Sequence, residues 1–317
     1  MATPATTAPG GAPVAIPPVP PIAEAAPRPW WRPEKPVRTA IYVLLLTGAT
    51  ILFVYPFLWM ISASLKPREE VFDNALIPHH WRFSNYLDVF RGVPDISEAP
   101  PVAHWFWNSA YIAVLAATTV TISSALVAFA FAYFRFPLRN LLFGLVLASM
   151  MLPGAVTMIP TYLIWNKVHL VGTQYPLWLN NVFGAPFYIF LMRQFFLGIP
   201  RELFEAARVD GDNYFSMFRR IAVPLAWPAM VVTWVFEFKA NWMELMKPLI
   251  YLRDDSTFTI PRGLYALLGI LGPSAGGHGD YQIVLAAMVL ATLPLILIFF
   301  LAQRVFIEGI ATQGRKG

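Results

Sequence analysis

The 317-residue sequence contains no cysteine. Without a thiol there is no disulfide framework, no thiolate metal site and no cysteine nucleophile, and nothing in the chain reports on redox compartment. Charge is also scarce. Asp, Glu, Lys and Arg make up 13% of the residues, against roughly 25% in an ordinary soluble domain. Apolar residues make up 57%. A soluble domain of this composition would expose patches that drive aggregation, which argues against a cytosolic enzyme, a secreted disulfide scaffold or a disordered regulator. The formal charge of +5 is not gathered into any Lys/Arg run long enough to follow a phosphate backbone, so nucleic acid is not expected as a partner and membrane lipid is.

Residues 1–36 carry Pro4, Pro9, Pro13, Pro17, Pro18, Pro20, Pro21, Pro27 and Pro29. Proline at this density forbids a helix, so the stretch reads as a disordered Pro/Ala-rich tail. No basic start followed by a continuous apolar stretch marks a signal peptide. From 39 to 61 no charged residue occurs, and as a helix that length covers about 35 Å, enough for a hydrocarbon core of ~30 Å. Similar stretches at 107–134, 141–165, 177–196, 225–249 and 283–302 make six spans within an all-α membrane domain over 37–308, followed by a short tail over 309–317. Placing the N-terminus in the cytoplasm puts 14 of the 23 Lys and Arg residues on the cytoplasmic side, among them Arg28, Arg32, Arg135, Arg139, Arg193, Arg219 and Arg304. By the positive-inside rule both termini are then cytoplasmic. Trp105, Phe106 and Trp107 fit an interfacial aromatic belt at the outer start of the second span.

The one long inner connection, 197–224, mixes acidic with basic residues and places Leu203, Ala206, Ala207, Phe215, Phe218 and Ile221 at helical spacing. This predicts two short amphipathic helices joined at 210–213. Within it stand Glu205, Ala206 and Ala207, three free positions, Gly211, nine free positions, Ile221, one free position, then Val223 and Pro224. This pattern resembles the EAA motif of ABC importer permeases and departs from it only where Val223 replaces a leucine. Gly211 suits a left-handed turn that ends a helix, and Pro224 suits a first helical turn where the fifth span begins. The likeness extends over most of 39–317 and is nearest to the carbohydrate-type, maltose-transporter-like permeases. It rests further on 130–137 (AFAYFRFP), 151–160 (MLPGAVTMIP), 187–200 and 309–317 (GIATQGRKG).

The resemblance implies a type I importer permease, in which the helix carrying Glu205, Ala206, Ala207 and Gly211 docks on an ATP-binding subunit. Its implied partners are a second permease chain, a homodimeric ATPase, an extracytoplasmic binding protein and a sugar, in a bacterial or archaeal plasma membrane. ATP and Mg would belong to the ATPase. The nearest approach here to a phosphate loop, Gly309, Gly314, Arg315 and Lys316, has Arg at the lysine position and no following Ser or Thr.

Glu237, Asn241 and Glu244 follow one another at spacings of four and three, hence on one face of the fifth span, with Trp234 one turn earlier. Such a stripe avoids lipid. Together with Trp242, Asn180 and Asn181 it offers the amides, carboxylates and rings that a transient sugar site needs, and equally a contact between two permease chains. An ion-coupled carrier using Glu237 or Glu244 is the alternative function, although it leaves the EAA-like helix without a purpose. No paired acids, Ser/His set or HExxH motif suggests an enzyme. The five histidines, His79, His80, His104, His169 and His278, are read as loop residues without carboxylate or histidine partners at helical spacing, and no metal site is expected.

Overall fold

The structure, a computed structural model, describes residues 36–91, 102–271 and 279–313, with side chains at 38–91, 102–271 and 279–304. Among the described residues there is helix and turn but no strand. In chain order the α-helices are α1 Pro36–Ser64, α2 Asn85–Arg91, α3 Val102–Tyr133, α4 Arg139–Ser149, α5 Gly154–Lys167, α6 Tyr175–Trp178, α7 Pro186–Leu197, α8 Arg201–Val209, α9 Tyr214–Met217, α10 Val223–Leu225, α11 Trp227–Trp242, α12 Met246–Tyr251, α13 Ile260–Leu271 and α14 Tyr281–Gln313. The expected disordered tail over 1–36 lies outside the described residues but for Pro36, and α14 runs on through 309–313, into the stretch expected as the second tail.

The chain divides at Pro56 into two units. In the first, every described side chain from Arg38 to Tyr55 is exposed. The second is organised around α3, which packs along both α7 and α11. The reason is visible in its sequence: Ala113, Ala116, Ala117, Ser124, Ala125 and Ala128 are small and buried. Lipid tails are as apolar as the helices, so close backbone approach and dispersion drive association in a membrane, and small residues permit both.

Two apolar clusters result. One joins Trp105, Ile112, Phe238, Trp242, Phe258, Leu267 and Val284; the other joins Phe129, Phe131, Met192, Phe196, Phe204, Met217 and Phe218. Polar contacts fix the first end of α3. Trp105 Nε1 donates to the Asp255 carbonyl at 2.7 Å, Asn108 Nδ2 donates to the carbonyls of Ser256 (2.8 Å) and Phe258 (2.9 Å), and Ser109 Oγ accepts from the Ile260 amide (2.8 Å). Gly263 is required by this packing, because a Cβ there would stand 2.1 Å from Trp105 Cε3.

Three helices, 38–64, 102–133 and 281–304, are each long and apolar enough to cross a membrane, and three bent pairs raise the number to as many as six. The six expected spans are therefore corrected in detail. The third is no continuous helix: α4 and α5 meet at 98°, where Pro153 lacks an N–H to carry the ladder on. The fourth reduces to α6, a 3₁₀ turn at Leu179–Phe183 and the short α7, with Gly184 at φ +80° between them. The fifth starts at Trp227 rather than 225, ends at Trp242 and resumes only as α12. Pro224 consequently lies in α10, before a bend of 79°. α13, absent from the expected elements, packs on α3 and α14.

The loop after α1 is tied by polar groups. Lys66, 1% exposed, donates from Nζ to the carbonyls of Asp73 (2.9 Å) and Ala75 (2.7 Å), and Asn85 Nδ2 donates to the carbonyls of Ser64 and Lys66. Of the histidines expected in loops His104 departs, and His278 lies outside the described residues. His104 lies on α3, His79 faces Asp73 at 3.5 Å, and His80 Nδ1 meets Glu70 Oε1 at 2.5 Å. That contact holds the Glu70 carboxyl below its ordinary value.

Candidate functional site

The EAA-like segment forms the two short helices expected, α8 and α9, with the break at 210–213. Gly211 has φ +86°, the left-handed conformation its place in the motif demands. Asn213 caps α9 by accepting from the Ser216 amide at 2.8 Å, and Asp212 accepts from Ser216 Oγ at 2.8 Å while lying 3.6 Å from Arg220. The chain then widens into a π-turn over Phe218–Ala222.

Which face is buried differs from expectation. Phe204, 4% exposed, Met217, Phe218 and Ala222 are buried, Phe218 as its spacing suggested, whereas Leu203 and Phe215 are 45% and 66% exposed. Glu205, Ala206, Gly211 and Pro224 are exposed, and Ala207 and Ile221 half-buried. Phe204 enters an aromatic cluster with Phe129 and Tyr133 at ring separations of 5.9 and 5.1 Å, Tyr214 meets Phe134 at 4.9 Å, and Phe218 meets Phe129 at 5.3 Å. The Tyr133 end of α3 is thereby joined to both helices of the loop. Sequence reasoning missed this joint because Leu203, Phe204, Ala206 and Ala207 make two adjoining faces of α8 equally apolar, and periodicity alone does not choose between them. The run of aromatics at Phe129, Phe131, Tyr133 and Phe134 was the available signal.

A second group of the predicted residues converges on one carboxylate. Glu237 Oε1 accepts from Asn181 Nδ2 at 2.5 Å and from Asn241 Nδ2 at 2.7 Å, and buried Tyr188 hydrogen-bonds the same side chain. The 3₁₀ turn, α7 and α11 thus share a polar knot, and a carboxylate held by three donors within an apolar bundle is satisfied without a cation. Tyr188 was not anticipated, since its role arises only when α7 folds beside α11.

Other members of the expected stripe go elsewhere. Trp242 is buried, stacks on Phe238 and donates to the Ala291 carbonyl at 3.0 Å. Glu244 lies beyond the end of α11, so it leaves the stripe and accepts from the amides of Met246 (2.9 Å) and Lys247 (3.4 Å) at the start of α12. Trp234 donates to Thr118 Oγ1 at 3.1 Å, and Asn180 is exposed on the 3₁₀ turn. Among the described residues no group of three His, Asp or Glu side chains is arranged to hold a metal.

The chain is 31% identical over 290 residues to the arabinooligosaccharides transport system permease protein AraQ of Halalkalibacterium halodurans, covering 90% of this chain and 99% of that protein. It is 31% identical over 265 residues to the lactose transport system permease protein LacG of Rhizobium radiobacter, covering 84% and 92%. Its fold matches a chain of a bacterial ABC transporter involved in the import of the acidic polysaccharide alginate, with a TM-score of 0.73 and 22% identity over 87% of this chain and 99% of that one. The family model for the binding-protein-dependent transport system inner membrane component matches residues 120–311. An ion-coupled carrier and an enzyme are thereby set aside: this multi-pass membrane chain belongs to the family of binding-protein-dependent transport system inner membrane components.

Proposed function

We propose that the chain is one of two permease subunits of an ATP-driven importer for a mono- or oligosaccharide in a bacterial or archaeal plasma membrane, with both termini in the cytoplasm. An extracytoplasmic binding protein delivers the sugar, and a homodimeric ATP-binding subunit, which alone holds ATP and Mg, supplies the work. The sugar class is supported by the names of AraQ and LacG, both permeases for oligosaccharide or disaccharide.

The observation that carries this reading is the geometry of 201–224. Its outer face of Glu205, Ala206 and Gly211 is exposed, while Phe204, Tyr214 and Phe218 grip the Tyr133 end of α3. A push on the exposed face is delivered to the central helix of the bundle. Small Ala206 lets a partner surface come close, and the turn at Gly211 sets the angle between the two helices. Ile221 and Pro224 carry the loop back to α11 through the bend at 226.

Asn181, Glu237 and Asn241, with Asn180 beside them and Trp234 one turn away, are the polar groups on the sugar's route; Trp242 and Glu244 serve packing and capping instead. The bare apolar face of α5, which has no buried residue, suits the second permease chain.

The test is reconstitution of the full assembly in vesicles, with sugar uptake and ATP hydrolysis measured together. Gly211→Val should abolish uptake and ATPase capture, because a β-branched residue at this φ is strained by about 1–2 kcal/mol. Uptake by the chain alone, or uptake driven by a proton gradient without ATP, would overturn the proposal.

A further inference from the structure

Two arginines lie along the contact between α4 and α7. Arg139 opens α4 and Phe143 lies one turn along the same face; the Arg193 guanidinium of α7 sits 4.2 Å above the Phe143 ring. Both side chains therefore lie along that contact. Each is half-buried, and among the described residues neither forms an ion pair. Arg139 Nη1 donates to the Phe134 carbonyl at 3.2 Å, and Arg193 Nε is buried without a hydrogen-bond partner.

Uncompensated like charges brought together on two packed helices cost stability unless an anion lies between them. The surroundings say what kind. Beyond Arg139 and Asn140 the helix turns apolar, and Leu141, Leu142 and Leu145 are all exposed. α4 has no buried residue, and Leu197 at the end of α7 is exposed as well. The positive end of the α4 dipole adds to the field at the same place. A ligand that fits carries a phosphate at one end and a hydrocarbon chain at the other.

We propose that Arg139 and Arg193 form a binding site for the phosphate of an anionic phospholipid, whose acyl chain lies along the exposed leucines of α4. Planar guanidiniums suit this task because they bind phosphate through paired N–H donors and carry little hydration. The site needs only that the chain be a membrane protein and does not depend on which solute is transported.

The test uses the purified full chain, stripped of lipid and titrated with phosphatidylglycerol or with phosphatidylcholine of the same chain length, with bound lipid counted by native mass spectrometry. A basic residue at a membrane surface is worth about 1 kcal/mol toward an anionic lipid, or roughly fivefold in affinity. R139Q and R193Q should each lose roughly fivefold for phosphatidylglycerol and the double variant about thirtyfold, with phosphatidylcholine unchanged. R139K/R193K should keep most of the preference, which separates lost charge from lost folding, and R253Q at an exposed position should change nothing.

Equal retention of the two lipids by the unaltered chain would overturn the proposal. So would displacement of phosphatidylglycerol by millimolar inorganic phosphate, which would make the ligand a free anion. Loss of a copurifying partner protein in R139Q/R193Q, with lipid retention intact, would instead assign the arginines to a partner's carboxylate.

Discussion

Truncating Phe204 tests whether α8 is held by the ring rather than by its more conspicuous apolar neighbour. Phe204 is 4% exposed and packs on Phe129 and Tyr133, whereas Leu203 is 45% exposed. Phe→Ala at a buried site costs about 3–5 kcal/mol, and the lower figure is appropriate on a two-turn helix at the edge of the bundle. If that loss falls on the docking of α8 against α3, the local opening equilibrium rises on the order of 100-fold. Hydrogen–deuterium exchange of the full chain should show this as a comparable loss of protection across Arg201–Val209, while Trp227–Trp242 stays protected as an internal reference. Leu203→Ala should change the same peptide less than about threefold, in line with ~0.5 kcal/mol at an exposed position. Equal effects of the two substitutions, or no change in F204A, would refute the aromatic joint. In the assembled transporter F204A should leave ATP hydrolysis running while uptake falls.

Further outcomes follow from single contacts. Gly263→Ala forces a methyl into the Trp105 ring and should destabilise by about 1–3 kcal/mol, read as a lowered unfolding midpoint in detergent with an early change in tryptophan fluorescence. Lys66→Met strands the carbonyls of Asp73 and Ala75 in a buried pocket, at a cost of about 1–3 kcal/mol, and should open the 66–82 loop to limited proteolysis while the spans stay intact. The Glu70 carboxyl titrates below its ordinary 4.5 because His80 hydrogen-bonds it. Its contribution is therefore present above pH 4.5 and is lost as pH falls through the lower folded value. Proteolysis of the loop should accelerate below pH 4.5 and E70Q should flatten that dependence; a rise in stability on acidification would contradict the sign. Glu237→Gln replaces an acceptor for two amides with a side chain that also donates, so it should loosen the contact between Leu179–Phe183 and α11 and increase exchange there. Exchange unchanged in E237Q would refute the knot, whereas altered sugar selectivity beside the loosened contact is the outcome expected of a group on the sugar's route.

Local pattern settled a good deal. Low charge and long apolar stretches announce a membrane chain because lipid offers no partner to a stray polar group, and that constraint acts on each segment separately. Spacing within 201–224 located two helices and a left-handed glycine, since a break at 210–213 and φ +86° at Gly211 depend on nearby residues alone. The EAA-like motif and the family likewise follow from linear spacing. What needed the tertiary structure was every choice between equivalent faces and every meeting of distant segments. Phe204 rather than Leu203 is buried because Phe129 and Tyr133 of α3 lie on that side, and Glu244 leaves the stripe because α11 stops at Trp242. Tyr188 joins Asn181 and Glu237, and Arg193 comes to rest over Phe143 of α4, only after α7 packs between its neighbours. Periodicity records which residues share a face; burial depends on what arrives to cover it, and that is a property of the assembled chain.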